Sequence, residues 1–209
     1  MSEKLKYSRK KEEIKKCAKN VFLSHGFKKT TMEDIASKMG LKKNTLYYYF
    51  KDKDELFNEV LREDLEEILG NIKRALLKCK NAEEKVYTYF AVFSNAYIAR
   101  SKLHTLDVKI LLEFMIVFLK SHDKFFTKFD DVLYGILNEG IKKGEFVKHD
   151  VRALATLLLE INISFEFRHL TEIAFESSDG TCEYNCSSMH NNMKNTIKSI
   201  LKGIKAKTK

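Results

Sequence analysis

Apolar residues recur at helical spacing along almost the whole of this chain, and no proline interrupts its 209 residues. Proline is the surest helix breaker, because it lacks the amide hydrogen and clashes with the preceding turn. A chain without it, patterned at i, i+3 and i+4, is predicted to be all-α. No strand alternation and no glycine-rich phosphate loop competes with that reading. Charge then divides the chain. Residues 1–53 carry fifteen Lys and Arg against six Asp and Glu, a net of +9, whereas residues 54–209 carry 23 of each and net zero. That polarisation points to a polyanion bound at one end, since each lysine that neutralises a phosphate releases counterions.

Several function classes are not expected. The opening MSEKLKYSRKKEEIKK has no apolar stretch behind its charges, so no secretory signal is read there. The longest apolar run, ILLEFMIVFL from Ile110, is about half a bilayer span and contains a glutamate, so no membrane partner is expected. A cytoplasmic location follows, with Cys17, Cys79, Cys182 and Cys186 mostly as reduced thiols. There is no paired-carboxylate helix motif and no nucleophile elbow, and the six histidines are scattered. Neither an enzyme nor a cofactor is expected.

The stretch TTMEDIASKMGLKKNTLYYYFKDK, Thr30 to Lys53, carries the functional signal. Thr30 with Glu33, or Thr31 with Asp34, has the hydroxyl-then-acid spacing of a capping box, so a helix begins near Met32. Ile35, Ala36 and Met39 form its apolar edge, Gly40 ends it in the left-handed conformation, and Leu41 plugs the turn. In the next helix Leu46, Tyr49 and Phe50 share one face, leaving Lys43 with Tyr47 and Asn44 with Tyr48 on the other. A core has no use for a basic, amidic and phenolic face, but a major groove does. The stretch reads as a helix-turn-helix on DNA. Asn44 has two open roles, a bond to an adenine edge or the cap of its own helix.

The run GFKKTTMEDIASKMGLKKNTLYYYFKDKDELF resembles the DNA-binding signature of the TetR/AcrR family of bacterial regulators, through its paired threonines, D-I-A core, turn glycine, T-L-Y-x-Y-F and K-D-E-L-F. The resemblance implies DNA contacts at Thr30, Thr31, Lys43, Thr45, Tyr47, Tyr48 and Lys53. Lys42 and Asn44 depart from the serine or threonine and the glycine that family members usually carry there, and are expected to set this protein's own base preference. The implied fold is a three-helix head at residues 1–52 and a helical effector-binding and dimerisation body at residues 53–209, with about nine helices in all. The implied function is a transcriptional repressor, released from a palindromic operator by a small hydrophobic or aromatic effector. A homodimer would set two recognition helices on the order of 34 Å apart.

Residues 1–7 read as frayed or as a basic arm reaching the phosphate backbone, and Arg9 to Ser24 as the first helix, with Ile14, Ala18, Val21 and Phe22 on its stripe. Asp52 with Glu55 is a second capping pair, opening a long apolar stripe from Leu56 to Leu76 that can tie head to body. Helices are expected at Ala82 to Arg100, Leu106 to Lys120, Asp123 to Lys143, Val151 to Phe175 and Asn191 to Ile204. Their aromatic content suits either core filling or the cavity that the resemblance implies. Phe90, Phe93, Tyr97, Phe114, Phe118, Phe126 and Phe165 are the candidate effector residues, with Glu113 as a polar handle. Cys182, Cys186 and His190 stand at i, i+4 and i+8 in a polar, turn-rich stretch. They offer a metal- or thiol-responsive sensor as the alternative to a solvated linker, although the usual zinc spacing and a fourth ligand are lacking.

Overall fold

The computed structural model describes residues 3–101, 116, 123–176 and 186–206. Among these residues it contains eight helices and no strand: α1 (Glu3–His25), α2 (Met32–Lys38), α3 (Lys43–Tyr49), α4 (Lys53–Leu76), α5 (Ala82–Ser101), α6 (Asp123–Lys142), α7 (Val151–Glu176) and α8 (Cys186–Ile204). The all-α expectation is met. The helix expected at Leu106 to Lys120 lies outside the described residues except for Ile116. Two helices start earlier than expected, α1 at Glu3 rather than Arg9 and α8 at Cys186 rather than Asn191.

Helix starts follow side chains that satisfy the open amide groups of a first turn. Asp52 Oδ1 accepts from Glu55 N at 2.8 Å while Glu55 Oε2 accepts from Lys51 N at 2.6 Å, which completes the second capping pair. Asn81 Oδ1 does the same for Glu84 N at 2.8 Å, and Asp150 Oδ1 for Ala153 N at 3.0 Å.

The chain divides into two compact units. One holds the described residues up to Glu66 with Ile116, and the other holds the rest. In the first, one apolar cluster joins Ile14, Ala18, Val21 and Phe22 of α1, Met32, Ile35 and Ala36 of α2, Leu46 and Phe50 at α3, and Leu56, Phe57 and Val60 of α4. Polar clamps reinforce it. Buried Lys15 pairs with Glu63 at 2.5 Å and Glu12 at 2.7 Å, and Lys19 pairs with Asp64 at 2.5 Å. Burial works against the Lys15 ammonium, but the hydrogen bonds to Glu12 and Glu63 outweigh it and hold its pKa above the ordinary lysine value.

In the second unit α6 packs between α5 and α7, with α8 against α5 and α7. Val86, Tyr89, Phe90, Phe129, Leu133, Leu137, Ala155, Leu158, Met193, Ile197 and Leu201 are all buried there. Gly140 marks a close approach, because a Cβ on it would stand 2.3 Å from the Phe146 ring. Among the described residues no helix is long and apolar enough to cross a membrane.

Candidate nucleic-acid interface

Backbone chemistry fixes the turn between α2 and α3. Thr31, extended at φ −113° and ψ 162°, caps α2: its Oγ1 accepts from Asp34 N at 3.2 Å, and Asp34 Oδ2 accepts from Thr31 N at 2.8 Å. Hydrogen bonds from the Thr31 side chain and then its backbone hold the Asp34 carboxyl below its usual range. At the other end Gly40 takes φ +64°, Gly40 N donates to Ser37 O at 3.0 Å and Leu41 N donates to Ala36 O at 2.9 Å. Those crossed bonds close α2 and reverse the chain at a residue whose backbone conformation favours glycine. Thr31→Ala is therefore expected to lower the unfolding free energy by about 1 kcal/mol, with Thr31→Ser close to wild type, as read from urea midpoints.

The turn aims α3. Leu46 and Phe50 face the core, whereas Lys42, Lys43, Asn44, Tyr47 and Tyr48 are exposed, Tyr48 at 71%. Thr45 is half-buried, with its amide donating to Lys42 O at 2.8 Å. Lys42 is the residue at the cap position of α3 and makes no side-chain cap bond. Asn44, a residue inside the first turn, is thus not the cap of α3, and its exposed amide stands on the outward face. Lys43 Nζ reaches Glu33 Oε2 at 3.5 Å, an exposed pair that is easily exchanged for a phosphate.

Two of the expected DNA contacts have other partners in this structure. Thr30 is buried, and its hydroxyl donates to Gly26 O at 2.7 Å. Lys53 Nζ donates to Phe27 O at 2.8 Å and Thr30 O at 2.9 Å, and lies 4.4 Å from the centre of the Phe27 ring. Both close the connection from α1 to α2, whose carbonyls have no helical partner. The capping alternative is decided in favour of Thr31 with Asp34.

Of the expected effector residues, Phe90 is buried and Phe93, Phe126 and Phe165 are half-buried. Phe93 stacks on Tyr89 at 6.4 Å and meets Phe129 edge-on at 5.4 Å, and Tyr89 meets Phe90 edge-on at 5.0 Å. Glu113, Phe114, Phe118 and Cys182 lie outside the described residues, as do the side chains of Tyr97, Cys186 and His190. A polar group not expected from the sequence sits in the same unit. Ser94 Oγ on α5 lies 2.9 Å from Glu166 Oε1 and 3.5 Å from Asn162 Oδ1, both on α7. All three side chains are buried, and desolvation pushes the Glu166 carboxyl up to about 8 despite the Ser94 bond. The signal was a carboxyl and an amide at core spacing on α7, where Ala155 and Leu159 mark the buried stripe.

A rigidly capped helix-turn-helix that holds a basic, amidic and phenolic helix face to solvent defines a DNA-binding protein. Residues 14–60 match the family profile described as "Bacterial regulatory proteins, tetR family". The chain is 28% identical over 153 residues to the HTH-type transcriptional regulator QacR of Staphylococcus aureus, covering 70% of this chain and 79% of that protein. It is 23% identical over 174 residues to the HTH-type transcriptional repressor KstR2 of Rhodococcus jostii, covering 80% and 78%. The crystal structure of a transcriptional regulator from Cytophaga hutchinsonii superposes with a TM-score of 0.71 at 26% identity, spanning 93% of this chain and 98% of that one. Residues 14–60 thus carry a DNA-binding domain of the TetR family, and the chain is similar over most of its length to HTH-type transcriptional regulators, DNA-binding proteins rather than enzymes.

Proposed function

We propose that the protein is a cytoplasmic, homodimeric repressor that leaves a palindromic operator when a small hydrophobic or aromatic effector enters its body. The observation that carries the DNA half is the outward face of α3: Lys43, Asn44, Tyr47 and Tyr48 stand exposed on a helix that Leu46 and Phe50 anchor in the core. The effector half is supported by the aromatic cluster around Tyr89 and Phe93, with the buried Ser94, Asn162 and Glu166 supplying polar handles in apolar surroundings. Dimerisation through α7 and α8 is supported by Leu157 and Phe167, apolar and exposed on α7. The effector must bind the non-DNA form more tightly, by about 10⁴-fold for a near-complete switch. In this reading α4 carries the change from body to head.

The test begins with a duplex selected from a randomised pool by the full-length protein. Lys43→Ala and Tyr47→Ala are each expected to cost about 1–3 kcal/mol of binding to it, roughly fivefold to 150-fold in affinity, at unchanged thermal stability. Wild-type affinity in either variant would remove that residue from the interface. Lys43→Ala is also expected to lower the salt slope by about one.

A further inference from the structure

The first turns of α1, which lie outside the helix-turn-helix signature, touch the aromatic residues that end it. The Tyr7 ring stacks on Tyr49 at 4.8 Å and 27°, and meets the exposed Tyr48 edge-on at 5.7 Å and 80°. One turn further on, Lys11 Nζ lies 4.9 Å from the centre of the Phe50 ring. Tyr7 and Lys11 share a helix face at i, i+4, so α1 is docked along the C-terminal end of α3 at two levels. Residues 3–11, EKLKYSRKK, hold five cations against one carboxylate, a net of +4. Arg9 and Lys10 both pair with Glu13, at 3.4 and 3.1 Å. Lys4 and Lys6 are exposed and have no ion pair among the described residues. A helix whose first turns meet the C-terminal end of the recognition helix, and which carries there two exposed lysines with no ion pair among the described residues, is placed for a polyanion, and the polyanion at α3 is duplex DNA.

We propose that the N-terminal turns of α1 are a second DNA-contacting element, in which Lys4 and Lys6 take backbone phosphates beside the groove that α3 enters. Tyr7 is the positioning residue that holds this element and Tyr48 in one register. The proposal rests on the reading of α3 as the groove helix, and it takes the basic-arm alternative for residues 1–7 in the form of a helical strut positioned by Tyr7. Phosphate contacts carry no base information, so the strut adds affinity and salt dependence and leaves the preferred sequence unchanged.

The experiment is a salt titration of binding to the duplex selected by the full-length protein. Lys4→Ala/Lys6→Ala is expected to lower the slope of log affinity against log salt by about two, with the base preference retained. Tyr7→Ala is expected to lower both affinity and slope, and Tyr7→Phe, which keeps the stacking ring, to restore both. Helical content and thermal midpoint are read for every variant, to confirm that α1 is intact. Lys43→Ala separates the two readings. If it binds like wild type, the groove assignment of α3 fails, and the strut's role falls with it. If it loses affinity while the double lysine variant keeps the wild-type slope, the strut alone is overturned. A Tyr7→Ala protein with wild-type affinity and slope would likewise overturn its positioning role.

Discussion

Phe57→Ala is expected to melt the DNA-binding head while leaving the second unit folded. Phe57 is fully buried at the start of α4, with its ring 5.1 Å from Phe22 and 4.6 Å from Phe27. Truncating a buried phenylalanine costs about 3–5 kcal/mol, because transfer free energy is lost and the cavity collapses only in part. Few units can absorb that loss, since the unfolding free energy of a whole domain is about 5–15 kcal/mol and small cores lie at the low end. The loss would also loosen Phe27, over which Lys53 closes the α1–α2 connection. Circular dichroism would then show a partial loss of helix, proteolysis would cleave before residue 66, and DNA binding would disappear. Phe57→Leu, which keeps most of the volume, is expected to retain binding. A Phe57→Ala protein with wild-type urea midpoint and affinity would contradict the packing described here.

The reach and limits of the sequence can be read from particular residues. Gly40 and Leu41 announce the α2–α3 turn because only a left-handed residue followed by an apolar plug closes a helix that way. Spacing alone could not separate Thr30 from Thr31, since each has an acid three positions on. The decision is tertiary: the α1–α2 connection brings Gly26 O within 2.7 Å of the Thr30 hydroxyl and leaves Thr31 for the cap. Lys53 depends on tertiary placement in the same way. Beside a recognition helix it reads as a phosphate ligand, and only the fold sets the carbonyls of Phe27 and Thr30 around its ammonium. The early start of α1 was equally hidden, because the ring partners of Tyr7 lie more than forty positions away in sequence. Glu166 was legible in principle, as a charge on an apolar stripe. Its partner Ser94, 72 positions away, was not.

Glu166 should make stability fall as pH rises through the physiological range. Its folded pKa, about 8, lies above the ordinary value of 4.5 because burial penalises the anion more than the Ser94 bond supports it. Below pH 4.5 the carboxyl is protonated in both states and imposes no penalty. Between the two values the unfolded chain releases the proton while the folded chain keeps it, so each rise in pH favours unfolding. Above about pH 8 both states are ionised and the penalty is complete, on the order of 5 kcal/mol from the pKa difference. Glu166→Gln keeps an acceptor for Ser94 and removes the titration. The difference in unfolding free energy between wild type and variant, measured at fixed protomer concentration, should therefore move by several kcal/mol between pH 5 and pH 8. Taking the difference cancels the histidines that titrate in the same window. Parallel curves for the two proteins would mean that Glu166 is ionised in the folded state at neutral pH. The α5–α7 contact would then hold a buried carboxylate, which could persist only if it is paired or richly hydrogen-bonded.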